Sequence, residues 1–487
     1  MNKLRNILIS QFKYFDGDAF VHSLKIFSVF AMGIIVYASI YSGFQIVDEF
    51  EHLHASWLVS IGKLPYRDFL EHHNPLLWYL SAPIVHLFFD NVLIFYVMRF
   101  ISALASLLIG FYIYKITLFW SDKKGAWLTI ALYLGNMITL YCFYQYRPDT
   151  YMNLCFIAGI YYLLQALKTN RSSLLLTSFL CFTFSFLFLQ KISLLLLAVC
   201  FILLWLIGTK KLRLKTVVFA AFPSVLILFC FLGFFYFKGA FIEYFDINYH
   251  LNRIMLSYYE RGTFWYKNIF LSLYGFAFVT AVLFYKKRNI YFKITSLLFI
   301  AEFLMRGFYF SPYTHYYSLI TVLSSLILSV YADKLFPTHK FFGSVLVIVL
   351  FLNLGHLFNK LEVSIPNHNS FKHYELAKWA HKNSQPDDMF MNGYDMIFNI
   401  YRPDVSYYWF QLDTLVPIME KEYNLKHKID VNEIIITQKP RFVYAADYPN
   451  LMAVRYYGEN KYAQKFIPEL IKALYKPTPF DGLWERK

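Results

Sequence analysis

Charge is scarce in this chain. Asp, Glu, Lys and Arg make up 16% of its 487 residues, against 58% hydrophobic and 21% aromatic. That much apolar surface exceeds what a soluble domain buries, so a water-soluble fold is excluded. Acidic residues are scarcer than basic ones, 31 against 46. The resulting charge of +15 would suit a nucleic-acid binder. However, the Lys and Arg are scattered between apolar spans and form no basic domain, so no nucleic-acid partner is expected. Cysteine is rare. Cys142, Cys155, Cys181, Cys200 and Cys230 all lie in or beside apolar runs, and no disulfide framework is expected. A Walker-type phosphate loop is missing, which argues against a soluble nucleotide donor. Internal repeats and low-complexity segments are missing too.

What is present is a series of apolar runs with few or no charges. They fall at about 23–42, 92–119, 125–144, 150–167, 172–189, 192–208, 216–237, 268–285, 289–309, 315–332 and 341–358. Each is long enough to read as a membrane-spanning helix, about eleven in all. The segment 75–90, with Pro83 and His86 inside, is shorter and reads as interfacial or re-entrant. The basic N-terminus has no clean small-residue cleavage site after it. The first span is therefore expected to be uncleaved, with the N-terminus in the cytoplasm. On that topology the inner segments carry 17 Lys and Arg in 53 residues and the outer ones 9 in 95. Counting 75–90 as a span would invert this bias, against the positive-inside rule. Residues 43–91 then form one long outer loop, and the eleventh span delivers the C-terminus outside.

Residues 359–487 are polar, mixed in sign and punctuated by proline. "ELAKWAHK" and "IPELIKALY" read as helices, "MFMNGY" and "RFVYAAD" as short strands. The expected architecture is mainly α. It has a membrane module over 1–358 and a small outer α/β domain over 359–487.

Carboxylates and imidazoles gather in one place, "VDEFEHLHASWLVSIGKLPYRDFLEHH". From Asp48 onward the apolar positions Phe50, Leu53, Trp57, Leu58 and Ile61 recur at helical spacing. An amphipathic helix here is expected to lie along the membrane surface with its polar face turned from lipid. Asp48 and Glu51 stand in a capping-box spacing, so Asp48 either caps the helix, serves the chemistry, or does both. His54 reads as a packing residue. His52, His72 and His73 are the candidate ligands of a divalent metal, but proximity in sequence does not make a site, and no metal or other cofactor is expected.

The other outer turns add charge near membrane depth. Arg147 and Asp149 lie in "YQYRPDTYM", and Lys191 in "FLQKIS". Arg99 begins the second span, and Arg306 and His315 flank the turn between the ninth and tenth. Taken singly, each reads equally well as snorkelling or capping at a helix end. As a set, carboxylates and cations on one rim suit transfer from a lipid-linked phosphate donor. A carboxylate accepts the proton of a nucleophile, and Lys and Arg hold the departing phosphate.

The run "VDEFEHLHASWLVSIGKLPYRDFLEHHNPLLWYLSAP", followed by "MRFISALASLLIGFYIY", "YRPDTYMNL" and "FLQKISLLL", resembles the GT-C glycosyltransferases. The nearest groups are the protein O-mannosyltransferases and the lipid A aminoarabinose transferases. The resemblance covers about residues 20–330, and its most specific item is the Asp48–Glu49 pair. It implies a polyprenyl-phosphate sugar donor, a membrane-embedded site on the non-cytoplasmic side and inversion at the anomeric carbon. It further implies Asp48 as the base on the acceptor, with Glu49 its paired carboxylate, and Asp149 as the second acid. Glu71 would line the cavity, Lys191 would bind the donor phosphate, and Arg99 would take the place of an Arg usual at the start of that span. His72 stands where the aminoarabinose transferases tend to carry Lys, so lipid A is not implied as acceptor.

The expectation is thus a glycosyltransferase integral to the plasma (inner) membrane. Its partners are the lipid-phosphate donor, membrane lipids and an acceptor that the sequence does not name. A transporter or flippase for a lipid-linked glycan, and a non-catalytic membrane scaffold, are the alternatives.

Overall fold

The computed structural model describes residues 17–42, 46–254, 273–308, 314–332, 340–364, 370–392, 398–407, 430–445 and 466–487. The chain is mainly helical. Among the described residues six helices are long and apolar enough to cross a membrane: Asp18–Tyr41, Ile94–Thr117, Pro148–Thr169, Gln190–Gly208, Leu214–Phe237 and Gly343–Val363. They make the chain an integral membrane protein. Leu76–Leu87, Ser172–Phe188 and Leu273–Tyr285 are apolar but shorter. The run expected as one span over 125–144 is two helices, Lys123–Leu134 and Met137–Cys142. The first ends before Gly135, and Asn136 caps the second by accepting from the Ile138 N–H at 2.9 Å.

The chain divides into two compact units. The first comprises Met1–Ser42, Arg99–Cys230 and Tyr259–Asn367. Its tightest feature is the helical hairpin Pro148–Thr169 and Ser172–Phe188. Asn170 turns the chain in the left-handed region, φ 55°, which Asn tolerates better than most residues. Gly159 lets the helices meet, since a Cβ there would lie 2.6 Å from the Phe182 ring. Ser178 donates across the hairpin to the Gly159 carbonyl at 2.7 Å, and Ser185 to the Met152 carbonyl at 2.8 Å. Small residues and short hydroxyls are what lets apolar helices pack without a hydrophobic driving force between them.

The second unit comprises Gly43–Met98, Phe231–Tyr258 and His368–Lys487. It holds the helices Ile46–Ser60, Leu76–Leu87 and Ser370–Lys382 and a four-stranded sheet. The strands β1 (Phe390–Met391), β2 (Phe442–Tyr444), β3 (Tyr475–Pro477) and β4 (Leu483–Arg486) stand in the order β1-β2-β4-β3. β1 and β2 are parallel, Phe390 beside Phe442, and the other two pairs are antiparallel. The helix Val431–Gln438, capped by Asp430, precedes β2. One core joins the sheet to the segment expected as an outer loop. Leu64, Tyr66 and Leu70 are buried with Phe235, Tyr244, Met391, Val443 and Tyr475.

In this unit His381 is buried against Phe390 and Tyr401, and neither ring nitrogen has a hydrogen-bond partner. Burial first, then the Arg402 and His54 charges, pushes its pKa down to about 3. The unfolded chain binds a proton there below its ordinary value of 6.5 and the folded chain does not. Stability contributed at neutral pH is therefore lost as pH falls from about 6.5 towards 3, at about 1.4 kcal/mol per pH unit from this group. Thermal unfolding in detergent should show His381→Phe losing less stability than the wild type between pH 7 and pH 5. Equal losses would mean that His381 titrates normally in the folded state.

Candidate active-site residues

The motif "LPYRDFLEHHN" is a self-braced turn in the second unit. Asp68 accepts from the Leu64 N–H at 2.8 Å, and the Asp68 N–H returns to the Leu64 carbonyl at 2.9 Å. Tyr66 takes φ 71°, a strained value for a tyrosine. Its ring is fully buried against Phe235 and Tyr244, and its hydroxyl donates to the His73 carbonyl at 2.6 Å. The Tyr244 hydroxyl donates to Asn74 Oδ1 at 3.0 Å, and Asn252 Nδ2 to the His72 carbonyl at 2.9 Å. Tyr407 fixes the Tyr66 carbonyl at 2.7 Å. The turn is thereby pinned on both sides of Glu71, His72 and His73.

Glu71 is fully buried. Its Oε1 accepts from the His72 N–H and stands 2.8 Å from His73 Nδ1. Burial holds the Glu71 carboxyl above the usual carboxylate range, against the opposing pull of His72 and the backbone N–H groups. Burial pushes the His72 imidazole down, and the His73 charge adds to this. Glu51 Oε1 lies 3.8 Å from His73 Nδ1. The His52 ring stands 5.1 Å from that of His73, and its Nδ1 accepts from Trp78 Nε1 at 3.2 Å. Of the three candidate metal ligands, His72 and His73 converge with Glu51 and Glu71, and His52 stands beside them.

The helix Ile46–Ser60 begins before Asp48, so Asp48 lies in its first turn and not at its N-cap. There the helix dipole favours the carboxylate form. Asp48 is partly exposed, while Glu49 is fully buried. The expected amphipathic helix on the membrane surface is corrected here. Its apolar stripe packs on protein from Phe50, against Phe95, to Trp57, against Tyr401, with only Ile61 of the expected stripe exposed, and Glu49, Glu51, His52 and Ser56 on its polar side are buried as well. His54, expected to pack, also bonds at both ring nitrogens, Nδ1–H to the Ile400 carbonyl at 3.0 Å and Nε2 to Asp404 Oδ2 at 2.6 Å. Asp404, 350 positions away, was invisible in the sequence pattern, as were Tyr244 and Asn252.

In the first unit the expected cations gather around Asp149. Pro148 opens its helix and Asp149 sits in the first turn. Asp149 Oδ1 pairs with Lys191 Nζ, and Oδ2 stands 3.4 Å from Arg147 Nε. Lys191 lies in a single 3-10 turn, Gln190–Ile192, with its ammonium 4.5 Å from the Tyr316 ring centre. His315 is close enough to act on the Asp149 charge and Arg306 on that of Lys191, while Arg306 pairs with Glu302 at 2.7 Å. A buried carboxylate with a cation on each oxygen is poorly placed to accept a proton and well placed to hold those cations still.

Arg99 does other work. It is buried, donates to the Ser39 and Ser42 carbonyls at 2.8 and 3.0 Å, and stacks 4.9 Å from the Tyr144 ring centre. These are the open carbonyls at the end of the helix Gly17–Tyr41. Asp48, Glu49, Glu51 and Glu71 thus belong to the second unit, and Arg99, Arg147, Asp149, Lys191, Arg306 and His315 to the first.

Known structures share this fold. ArnT from Cupriavidus metallidurans, crystallised bound to undecaprenyl phosphate, aligns with a TM-score of 0.54 and 12% identity, covering 78% of this chain and 84% of its own. Its apo form gives 0.55 at 11% identity over the same shares. The Archaeoglobus fulgidus oligosaccharyltransferase, tethered to an acceptor peptide, gives 0.51 at 14% identity, covering 90% of this chain and 70% of its own. A comparison with curated proteins finds no match. The chain has the fold of the GT-C glycosyltransferases. Residues 72–237, a stretch that begins after Asp48 and Glu49, match the model of the dolichyl-phosphate-mannose-protein mannosyltransferase family, one of the groups the motifs resemble.

Arg99→Lys cannot serve two carbonyls and an aromatic face at once. It should destabilise the protein by about 1–3 kcal/mol in thermal or chemical unfolding. If the variant unfolds like the wild type but binds lipid phosphate more weakly, Arg99 is a substrate residue and not a helix cap.

Proposed function

We propose that the protein is an inverting glycosyltransferase that moves a sugar from a polyprenyl-phosphate carrier to an acceptor at the non-cytoplasmic face of the plasma membrane. The observation that carries this reading is the cluster of Lys191, Arg147 and Asp149 at the starts of two membrane helices, in a chain with the GT-C fold. Two cations held by one buried carboxylate make a preorganised seat for a phosphate. Undecaprenyl phosphate, bound in the ArnT structure of the same fold, supports this donor class. The excess of Lys and Arg in the alternate segments supports a cytoplasmic N-terminus, with residues 43–91 and 359–487 outside.

In the reaction, the acceptor's nucleophilic atom attacks the anomeric carbon on the face opposite the phosphate. The new bond forms as the bond from the anomeric carbon to the phosphate oxygen breaks, and the configuration inverts. The acceptor's proton passes to Asp48, a role that the motif resemblance assigns to this partly exposed carboxylate. The electrons of the broken bond leave on the phosphate oxygen, where Lys191 and Arg147 offset the developing charge. Asp149 acts as the positioning residue for both cations. Glu49, buried beside Asp48, supports the helix turn that carries the base.

Purified protein supplied with a polyprenyl-phosphate sugar and acceptor extract should release free polyprenyl phosphate. Asp48→Asn should slow that release by about 10²–10⁴-fold without changing the elution profile of the protein. Release at the wild-type rate from a correctly folded Asp48→Asn variant would remove Asp48 from the mechanism.

A further inference from the structure

We propose that Glu51, Glu71, His72 and His73 bind one divalent transition-metal ion of the zinc class. The site lies wholly within the second unit and does not depend on the transferase reading. One donor atom from each residue lies within 4.8 Å of every other. His73 Nδ1 is 2.8 Å from Glu71 Oε1, His72 Nδ1 is 3.6 Å from the same oxygen, and His73 Nδ1 is 3.8 Å from Glu51 Oε1. A four-coordinate ion with bonds of about 2.1 Å sets its ligands about 3.4 Å apart. The three spacings straddle that value, so small side-chain rotations bring all four donors to one centre.

The donor set selects the ion. Two imidazoles and two carboxylates are too nitrogen-rich for calcium or magnesium, which take oxygen ligands, and contain none of the soft sulfur that selects copper(I). Two carboxylates cancel the charge of a dication. Glu51 and Glu71 are almost completely buried, and two carboxyl groups so placed need a proton or a cation between them. The His72 and His73 side chains keep 15% and 16% of their surface exposed, which leaves the ion a way in.

The surroundings hold the ligands in place. The carbonyls of both histidines are fixed, that of His73 by the Tyr66 hydroxyl and that of His72 by Asn252. The ion would tie the helix Ile46–Ser60 to the turn 71–73, reinforcing the approach of Glu51 to His73 at 3.8 Å.

The test uses the full-length protein in lipid nanodiscs, stripped with chelator and dialysed against zinc(II) or cobalt(II). The wild type should retain one equivalent of zinc by elemental analysis. With cobalt it should show the intense visible bands of a four-coordinate ion. Zinc should also raise its Tm, because the ion binds only the folded chain. Glu71→Gln and Glu51→Gln should each weaken binding at least about tenfold and abolish the cobalt bands. His72→Ala, whose side chain is partly exposed, serves if the buried variants do not fold, and should do the same. Substoichiometric zinc with no cobalt bands in the wild type would overturn the site. So would folded variants that keep the full equivalent, since the metal would then sit on other histidines.

Discussion

A carboxylate buried among aliphatic and aromatic side chains must find positive charge, and Asp149 finds it on both oxygens. Removing both cations would leave an ion in a medium that solvates it poorly, a cost of several kcal/mol. That constraint fixes more than one side chain. It ties the start of the helix Pro148–Thr169 to the 3-10 turn at Gln190–Ile192, where the next long helix begins. The hairpin between them closes over Gly159 and Phe182, and a side chain at Gly159 would push apart the helices that hold the pair together. Helix packing and charge placement in this unit therefore depend on each other.

The second unit meets the same constraint by different means. His54 joins the largely buried Asp404, the carboxyls of Glu51 and Glu71 meet the imidazoles of His72 and His73, and the buried Arg402 reaches the exposed Asp90. Tyr66 accepts an unfavourable φ because its ring and hydroxyl are both engaged, the ring in the core and the hydroxyl under His73. The motif around it is conformational as much as chemical. Its Pro, Tyr, Asp and Asn shape a turn whose product is the placement of three consecutive side chains.

The helices were legible in the sequence because apolar runs of this length have no other stable form in a membrane. The gathering of Arg147, Asp149, Lys191, Arg306 and His315 was legible for a related reason. Ionisable groups at span ends are few, and those on one rim have few places to go. Other features were out of reach. The apolar stripe of Phe50, Leu53 and Trp57 marks a buried face, but periodicity does not say whether lipid or protein covers it, and protein does. The break at Gly135–Asn136 rests on a single cap in an otherwise apolar run. The His54–Asp404 pair and the Tyr244–Asn74 bond join residues too distant in sequence for spacing to reveal them. Strands β3 and β4 are three and four residues long, too short for an alternation to be read.

The central claim is that the cations held by Asp149 seat a lipid-linked phosphate. Native mass spectrometry of the protein extracted from its own membrane addresses it most directly, because it weighs the bound lipid whatever the sugar or acceptor. The account predicts a polyprenyl phosphate, or its glycosylated form, on the wild-type protein and its loss from Lys191→Ala. A wild-type protein carrying no lipid of this class, or a Lys191→Ala variant that retains it undiminished, would contradict the account.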